Sequence, residues 1–395
     1  MSLQESCHSS LVKGHRTFII ISLALAAVAG TLLGMWMILG WLGYVSLAHF
    51  SDVLRIHGQL QVYGFVVLFT MGVAMMVLPR FLGTTLRPPD LVVATLALMV
   101  AGIVANFTGP SVLGAALQTA SVVTFTMVIR ATRRSAPPRS GPSDALQKAH
   151  ALFLATGGLW LFLSPGLAFV DPTRALENVL WGFAGLYIAG IGLRVHPQVL
   201  ALAHLRPSLF LPSCLMWNAA LATRWLMAGP AWTILMVAAV TTFLLALNPF
   251  QRSTEPMEAG AWIRLFVRTS YFWLIAATAL ALLTEVEPGS YVGPARHSLA
   301  SGYILTMMVG MGFRMIPTFE SKRLVWVDGP WVAYGALTLG GILRVGGQAV
   351  GNYPVMGIGG GLQVVSVLLF VGVILGTLAV GVPVPMTLPA RAARR

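Results

Sequence analysis

Apolar runs of about twenty residues, separated by short polar segments, follow one another along the whole chain. A run of this length is what a helix needs to cross the hydrocarbon core of a bilayer. The first run, from Phe18 to about Leu42, is too long for a signal peptide and has no small-residue cleavage site, so we expect a helix. The pattern predicts an all-α integral membrane protein with about twelve transmembrane helices, near residues 17–44, 56–79, 91–109, 112–131, 150–170, 176–200, 208–228, 231–249, 261–283, 296–319, 330–350 and 355–381.

One spacing of glycine and proline occurs three times: Gly, a second Gly eight residues later, and Pro seven residues after that. The copies lie 118 and 120 residues apart, and a period of that length indicates one structural unit used three times. The copies read Gly64, Gly72 and Pro79, then Gly182, Gly190 and Pro197, then Gly302, Gly310 and Pro317. We therefore predict a single membrane domain over residues 1–395, made of three pseudo-symmetric four-helix repeats at about 17–131, 150–249 and 261–381.

Charged residues are scarce, at 9% of the 395 residues, whereas soluble proteins carry roughly a quarter. The formal net charge of +13 would suit a nucleic-acid partner, but its distribution indicates membrane topology instead. Twenty of the 25 basic residues fall in the set of predicted loops that also contains both termini. Cytoplasmic loops carry this excess, so we expect a multi-pass protein of a bacterial-type inner membrane, with both termini in the cytoplasm and no nucleic-acid partner.

Four polar residues share one depth near the outer ends of the second helix of each repeat: His57, Gln59, Glu177 and His297. Two neutral imidazoles on symmetry-related helices can bind a haem iron from opposite sides. The propionates of a haem need cations in a low-dielectric setting. Four arginines lie on the same side and are candidates for this role: Arg55, Arg224, Arg296 and Arg344. The residues alone leave a second interpretation open, in which these side chains are simply solvated at helix ends.

Two segments resemble the catalytic subunit of the haem–copper oxidases, which has twelve helices in three four-helix arcs. The segment from His57 to Arg80 is similar to that family's second helix, which supplies one axial histidine to the low-spin haem. The segment from His297 to Pro317 is similar to its tenth helix. There the family has a His-x-His motif, whose first histidine binds the high-spin haem and whose second binds the low-spin haem. His297 matches the second histidine, and Ala295 stands in place of the first.

A closer resemblance is to the NnrS family, membrane proteins related to that superfamily and linked to haem, copper and nitric oxide. The second helix of that family carries a His-x-His motif followed by Gly-Phe, and here the motif begins at His57 and has Gln59 as its last residue. Later segments of the family are similar to the one from Gly192 to Pro197 and to the one that begins at His297. The resemblance implies a haem protein with a link to nitric oxide.

Departures from both families argue against a copper reaction centre. The predicted seventh helix has no histidine, and the sixth offers Glu177 at its outer end and His196 at its inner end, not a copper-binding histidine. With Ala295 in place of the high-spin ligand, the resemblance leaves one low-spin haem b, bound by His57 and His297, and no copper. Because both axial positions are then filled, we expect electron transfer rather than catalysis, with a periplasmic electron carrier or other membrane subunits as partners.

Two other functions stay open. An NnrS-like protein could bind or consume nitric oxide if one axial ligand were labile, so the sequence does not decide whether the protein is an enzyme. A cofactor-free transporter or structural subunit could keep the fold, although the buried ionisable groups that transporters place at mid-membrane are scarce here. Five histidines on the cytoplasmic side are expected to be solvated: His8, His15, His150, His196 and His204.

Overall fold

The computed structural model describes residues 14–46, 48–137, 144–227, 229–252, 261–287 and 289–383, and His8 lies outside them. These ranges are almost entirely helical. Their long helices are, in chain order, α1 (Gly14–Trp41), α2 (Phe50–Leu82), α3 (Pro89–Ala105), α4 (Val112–Arg134), α5 (Ala145–Leu167), α6 (Pro172–Leu200), α7 (Phe210–Leu226), α8 (Ala231–Leu247), α9 (Trp262–Val286), α10 (Val292–Phe319), α11 (Gly329–Ala349) and α12 (Tyr353–Val380). The ends at which α2, α6 and α10 begin are called the outer end of the molecule below.

Eight of these helices are long and apolar enough to cross a membrane, namely α1, α2, α4, α5, α6, α9, α10 and α12. Two more, α3 and α8, are apolar but have only 17 residues each. The prediction of an all-helical protein with several membrane-spanning helices is therefore confirmed. The count of twelve spans in three repeats stays a prediction.

Polar caps and prolines set the helix ends. The side chains of Ser111, Asp144 and Asp171 each accept a hydrogen bond from the first turn of the helix that follows, which satisfies a backbone N–H that the helix itself leaves unpaired. Pro79 lies inside α2, and the helix ends three residues later at Leu82, followed by Gly83 with a left-handed φ of 64°. The prolines of the repeated motif thus fall within the last turn of their helices.

The glycines of the repeated motif are contact points between the first and second helix of each repeat. A Cβ built at Gly72 would lie 2.8 Å from Cβ of Phe18, and one at Gly190 would lie 2.9 Å from Cβ of Phe153. Gly310 is pressed against a phenylalanine in the same way. Larger residues at these positions would force neighbouring helices apart, so the interpretation of the glycines as packing positions is confirmed.

A stretch of π-helix surrounds the first glycine of each motif copy, at Leu60–Val67 in α2, Val179–Ala184 in α6 and Ser298–Leu305 in α10. A fourth stretch, Leu25–Thr31, lies in α1. The π stretch of α6 packs against those of both α2 and α10, so the three motif helices meet in the middle of the molecule. π turns insert an extra residue into a helix and are frequent at functional sites.

Candidate functional site

His57 lies two residues before Gln59 at the outer end of α2, with its imidazole against α1. Its Nδ1 is 2.8 Å from the carbonyl oxygen of Gly30, which belongs to the π stretch of α1. Because a carbonyl only accepts, Nδ1 must carry the proton and Nε2 must carry the lone pair. The ring also lies against Gly34, where an added Cβ would be 3.1 Å from the imidazole Cε1. Gly34 therefore leaves room for the ring beside α1, and the carbonyl of Gly30 holds it.

His297, immediately before the π stretch of α10, is held in the same protonation state. Its Nδ1 is 3.0 Å from the carbonyl oxygen of Gly293, one turn earlier, and 2.9 Å from Oε1 of Gln348 on α11. Both partners accept, so Nδ1 donates and Nε2 keeps its lone pair. Nη2 of Arg344 donates to this Nε2 over 2.8 Å. Arg344 is 9% exposed, and its Nε has no partner among the described residues.

Arg344 connects the surroundings of the two histidines. A Cβ built at Gly360 of α12 would lie 2.7 Å from Nη1 of Arg344, and it would also collide with Ile38 of α1, one turn beyond Gly34. The guanidinium thus binds His297 directly and lies near the part of α1 that contacts His57 through Gly34. The structure therefore brings the two predicted histidines and Arg344 to one region between α1, α2, α10, α11 and α12.

The other three predicted arginines have acceptors within the protein. Arg296 places its Nε and Nη2 3.0 and 2.6 Å from Oε1 of Glu177, and Arg224 binds the other oxygen of the same carboxylate. Arg55 pairs with Asp52 over 2.9 Å and donates to a backbone carbonyl at the end of α3. Arg296 and His297 are neighbours in the chain, but Arg296 turns toward α6 and α7 while His297 turns toward α11.

A cavity of about 360 Å³ lies at the outer ends of α6 to α10, beside the ion pairs that Glu177 forms with Arg224 and Arg296. Ala295, the residue in place of the high-spin ligand of the oxidases, is part of its wall, together with Arg224 and Arg296. Trp232 and Glu285 line the wall on α8 and α9. The cavity is thus bounded by charged groups from several helices, on the opposite side of α10 from His297.

Aromatic rings fill the interior between α6, α7, α8, α9 and α10. Trp217 of α7, Tyr271 of α9 and Tyr303 of α10 are fully buried, and the two tyrosine rings have their centroids 6.2 Å apart. The indole N–H of Trp217 donates to the carbonyl of Trp181 on α6 over 3.0 Å. Within the residues that the structure describes, no three His, Cys, Asp or Glu side chains lie close enough together to bind a metal ion.

Two of the histidines expected to be solvated are buried, so that expectation was wrong for them. His15 is 5% exposed, and its Nε2 lies 3.0 Å from Oε1 of Glu320, a carboxylate that Arg16 also binds. His196 is 2% exposed, and its Nδ1 lies 2.6 Å from the hydroxyl oxygen of Tyr271. Neighbouring helices cover the ends of the two helices at which these histidines lie. His204 is exposed, as expected.

The comparison with protein families matches residues 16–379 to a family described as "Domain of unknown function (DUF8744)". The chain belongs to this family. No curated protein matches it. Among the 38 matching chains of solved structures is one from a cryo-EM structure of a heme-copper terminal oxidase dimer, with a TM-score of 0.58 and 13% sequence identity. The alignment covers 94% of this DUF8744 chain and 84% of the other chain.

At this identity the comparison establishes the fold alone. The DUF8744 protein is a multi-pass, all-helical membrane protein that shares the fold of a haem–copper oxidase chain. The resemblance of its sequence to that superfamily is confirmed at the level of the fold. The resemblance to the NnrS family stays a prediction.

Proposed function

We propose that this DUF8744 protein is a membrane haem b protein with His57 and His297 as the axial ligands of one low-spin haem. The observation that carries the proposal is the matching state of the two imidazoles. Each donates its Nδ1–H to a backbone carbonyl, so each keeps the Nε2 lone pair that an iron ligand needs. A carbonyl at Nδ1 also fixes the orientation of a ligating ring. The donor set therefore fits a haem.

Arg344 is the arginine that we assign to a haem propionate. Of the four predicted arginines, it is the one without a carboxylate partner among the described residues, and its buried Nε is unpaired. A buried, uncompensated guanidinium is costly, and an anionic oxygen removes that cost. Arg55, Arg224 and Arg296 were predicted for the same role, but each already binds Asp52 or Glu177. When bound, a haem would supply reversible one-electron chemistry, and the protein would set its potential and access.

We further propose that no copper reaction centre forms and that the protein transfers electrons. Close packing of Trp217, Tyr271 and Tyr303 leaves the interior between α6 and α10 filled by side chains, which supports a single haem site. The repeated contacts of Gly72, Gly190 and Gly310 support the twelve-span, three-repeat organisation. The bias of basic residues supports an inner-membrane protein with both termini in the cytoplasm. The haem would then lie near the outer face, within reach of a periplasmic carrier or another membrane subunit.

The absorption spectrum of the purified full-length protein tests this function. A dithionite-reduced spectrum of low-spin haem b, with one haem per chain by pyridine haemochrome assay, is the expected result. Protein purified from haem-replete cells without any haem would overturn the proposal and favour a cofactor-free transporter or structural subunit.

An NnrS-like response to nitric oxide is a second candidate, and the Arg344–His297 hydrogen bond favours it. A donor at Nε2 of His297 competes with iron for the same lone pair, which would make that ligand the more labile of the two. Addition of nitric oxide to the reduced protein distinguishes the candidates. A rapid spectral change would support a labile ligand, and an unchanged spectrum would support electron transfer.

A further inference from the structure

Internal ion pairs account for only part of the charge that lines the cavity beside Glu177. Asp171 pairs with Arg174, whose Nε lies 3.3 Å from the carboxylate. Glu177 neutralises one of the two guanidiniums that bind it, Arg224 and Arg296, so one positive charge is left over on that wall. Nη1 of Arg224 is also buried without a hydrogen-bond partner among the described residues.

One negative charge is left over on the facing wall, at Glu285. Its Oε1 accepts the indole N–H of Trp232 over 2.8 Å, and no arginine or lysine among the described residues pairs with it. The same indole ring lies under the guanidinium of Arg224, whose central carbon is 4.5 Å from the ring centroid. A single tryptophan therefore separates an unbalanced cation from an unbalanced anion within one cavity.

We propose that this cavity binds a small zwitterion, a molecule with an oxyanion and an ammonium group a few bonds apart. The oxyanion would bind Arg224 and Arg296, which supply charge-assisted hydrogen bonds. The ammonium group would bind Glu285. Two sources share this chemistry, a free compound such as an amino acid or phosphoethanolamine, and the head group of phosphatidylethanolamine. This site is separate from the proposed haem site, because it lies across α10 from His297.

The size and position of the cavity agree with both sources. About 360 Å³ accommodates a head group or an amino acid but not a pair of acyl chains. The cavity opens at the helix ends, where a lipid head group or a soluble compound could enter. Leu180 and Leu299 line its apolar part, which suits the short carbon chain between the two charged groups.

Binding of two probes to the full-length protein in detergent tests the proposal. The probes are phosphoethanolamine, which carries both charges, and inorganic phosphate, which carries only the anion. We expect the wild type to bind phosphoethanolamine at least ten times more tightly. Glu285→Gln should reduce the affinity for phosphoethanolamine to that for phosphate. Arg224→Gln should weaken the binding of both probes at least tenfold. Glu287→Gln is the matched control, because Glu287 is exposed, lies two residues further on and does not line the cavity.

The outcomes separate this site from the haem site and the two sources from each other. Equal binding of the two probes by the wild type, or an unchanged preference in Glu285→Gln, would overturn the proposal. Loss of haem in a folded Arg224→Gln variant would also overturn it, because Arg224 would then serve the haem. Measuring phosphoethanolamine binding to the protein in nanodiscs of phosphatidylethanolamine or of phosphatidylglycerol completes the test. If phosphatidylethanolamine competes with phosphoethanolamine and phosphatidylglycerol does not, the natural ligand is the lipid head group. If neither lipid competes, the natural ligand is a free compound.

Discussion

His57 donates its Nδ1–H to the carbonyl of Gly30, so an imidazole at the outer end of α2 is held by the π stretch of α1. The bond fixes which nitrogen carries the lone pair, and the absence of a side chain at Gly34 leaves room for the ring, because a Cβ there would lie 3.1 Å from its Cε1. His297 reaches the same state with partners from its own helix and from α11. Two unrelated local structures thus hold the two imidazoles in the same tautomer, with the proton on Nδ1.

Replacing either histidine by alanine should abolish the low-spin haem spectrum, because one imidazole cannot supply both axial positions. The measurement is the reduced absorption spectrum of purified His57→Ala and His297→Ala. His49→Ala is the matched control. His49 precedes His57 in the chain, just before α2 begins at the outer end, and its side chain is 83% exposed. A low-spin spectrum that persists in both single variants is incompatible with the assignment.

Gly360→Ala should reduce haem occupancy by displacing Arg344. The added methyl would lie 2.7 Å from Nη1 of Arg344 and would collide with Ile38, so α12 and α1 or the guanidinium must move. Gly372→Ala is the control on the same helix, because a Cβ there has nothing within 4 Å. The haem-to-protein ratio and the thermal unfolding midpoint of both variants check this, and equal values for the two would count against the close contact.

Tyr271→Phe should lower the free energy of unfolding by about 1 to 3 kcal/mol, because it leaves His196 Nδ1 buried without its partner. Tyr303→Phe is the matched comparison. Both tyrosines are fully buried, but the hydroxyl of Tyr303 has no partner among the described residues, so its removal should cost no stability. Chemical denaturation in detergent measures both. A larger loss for Tyr303→Phe would mean that the His196–Tyr271 bond contributes little.

Glu320→Gln should destabilise the protein by about 1 to 3 kcal/mol, since Glu320 accepts from both His15 and Arg16 and its side chain is only 3% exposed. These contacts tie the first turn of α1 to the end of α10. Glu287→Gln, at an exposed position, should leave the unfolding midpoint within experimental error. Equal midpoints for the two variants would show that the buried carboxylate does not stabilise this junction.

Periodic features of the sequence predicted much of this structure. The apolar runs located the membrane helices, because about twenty consecutive apolar residues have few other stable settings. The Gly–Gly–Pro spacing identified α2, α6 and α10 as related helices, since close helix contacts need small residues. The register of that motif also led to His57, His297 and Arg344, which the structure brings to one region.

The partners of these residues were beyond the reach of sequence patterns, because they depend on contacts between distant segments. Glu177 lies 119 residues from Arg296, and the repeat register, which matches Glu177 to His297, does not tell which side chains form ion pairs. The burial of His15 and His196 results from neighbouring helices that cover polar helix ends. Gln348 was missed as a partner of His297, although its position one turn after Arg344 on α11 was the available signal.

The π stretch of α10 begins at Ser298, directly after His297. An α-helix turns by about 100° for each residue, so the extra residue of a π turn sets the angle between the outer and inner halves of α10. Deleting one residue from this stretch would regularise the helix and rotate His297 away from Arg344 and Gln348, while the inner half kept its place against α9. The direction in which the His297 ring points therefore depends on the exact number of residues in α10, a property that the hydropathy pattern does not reveal.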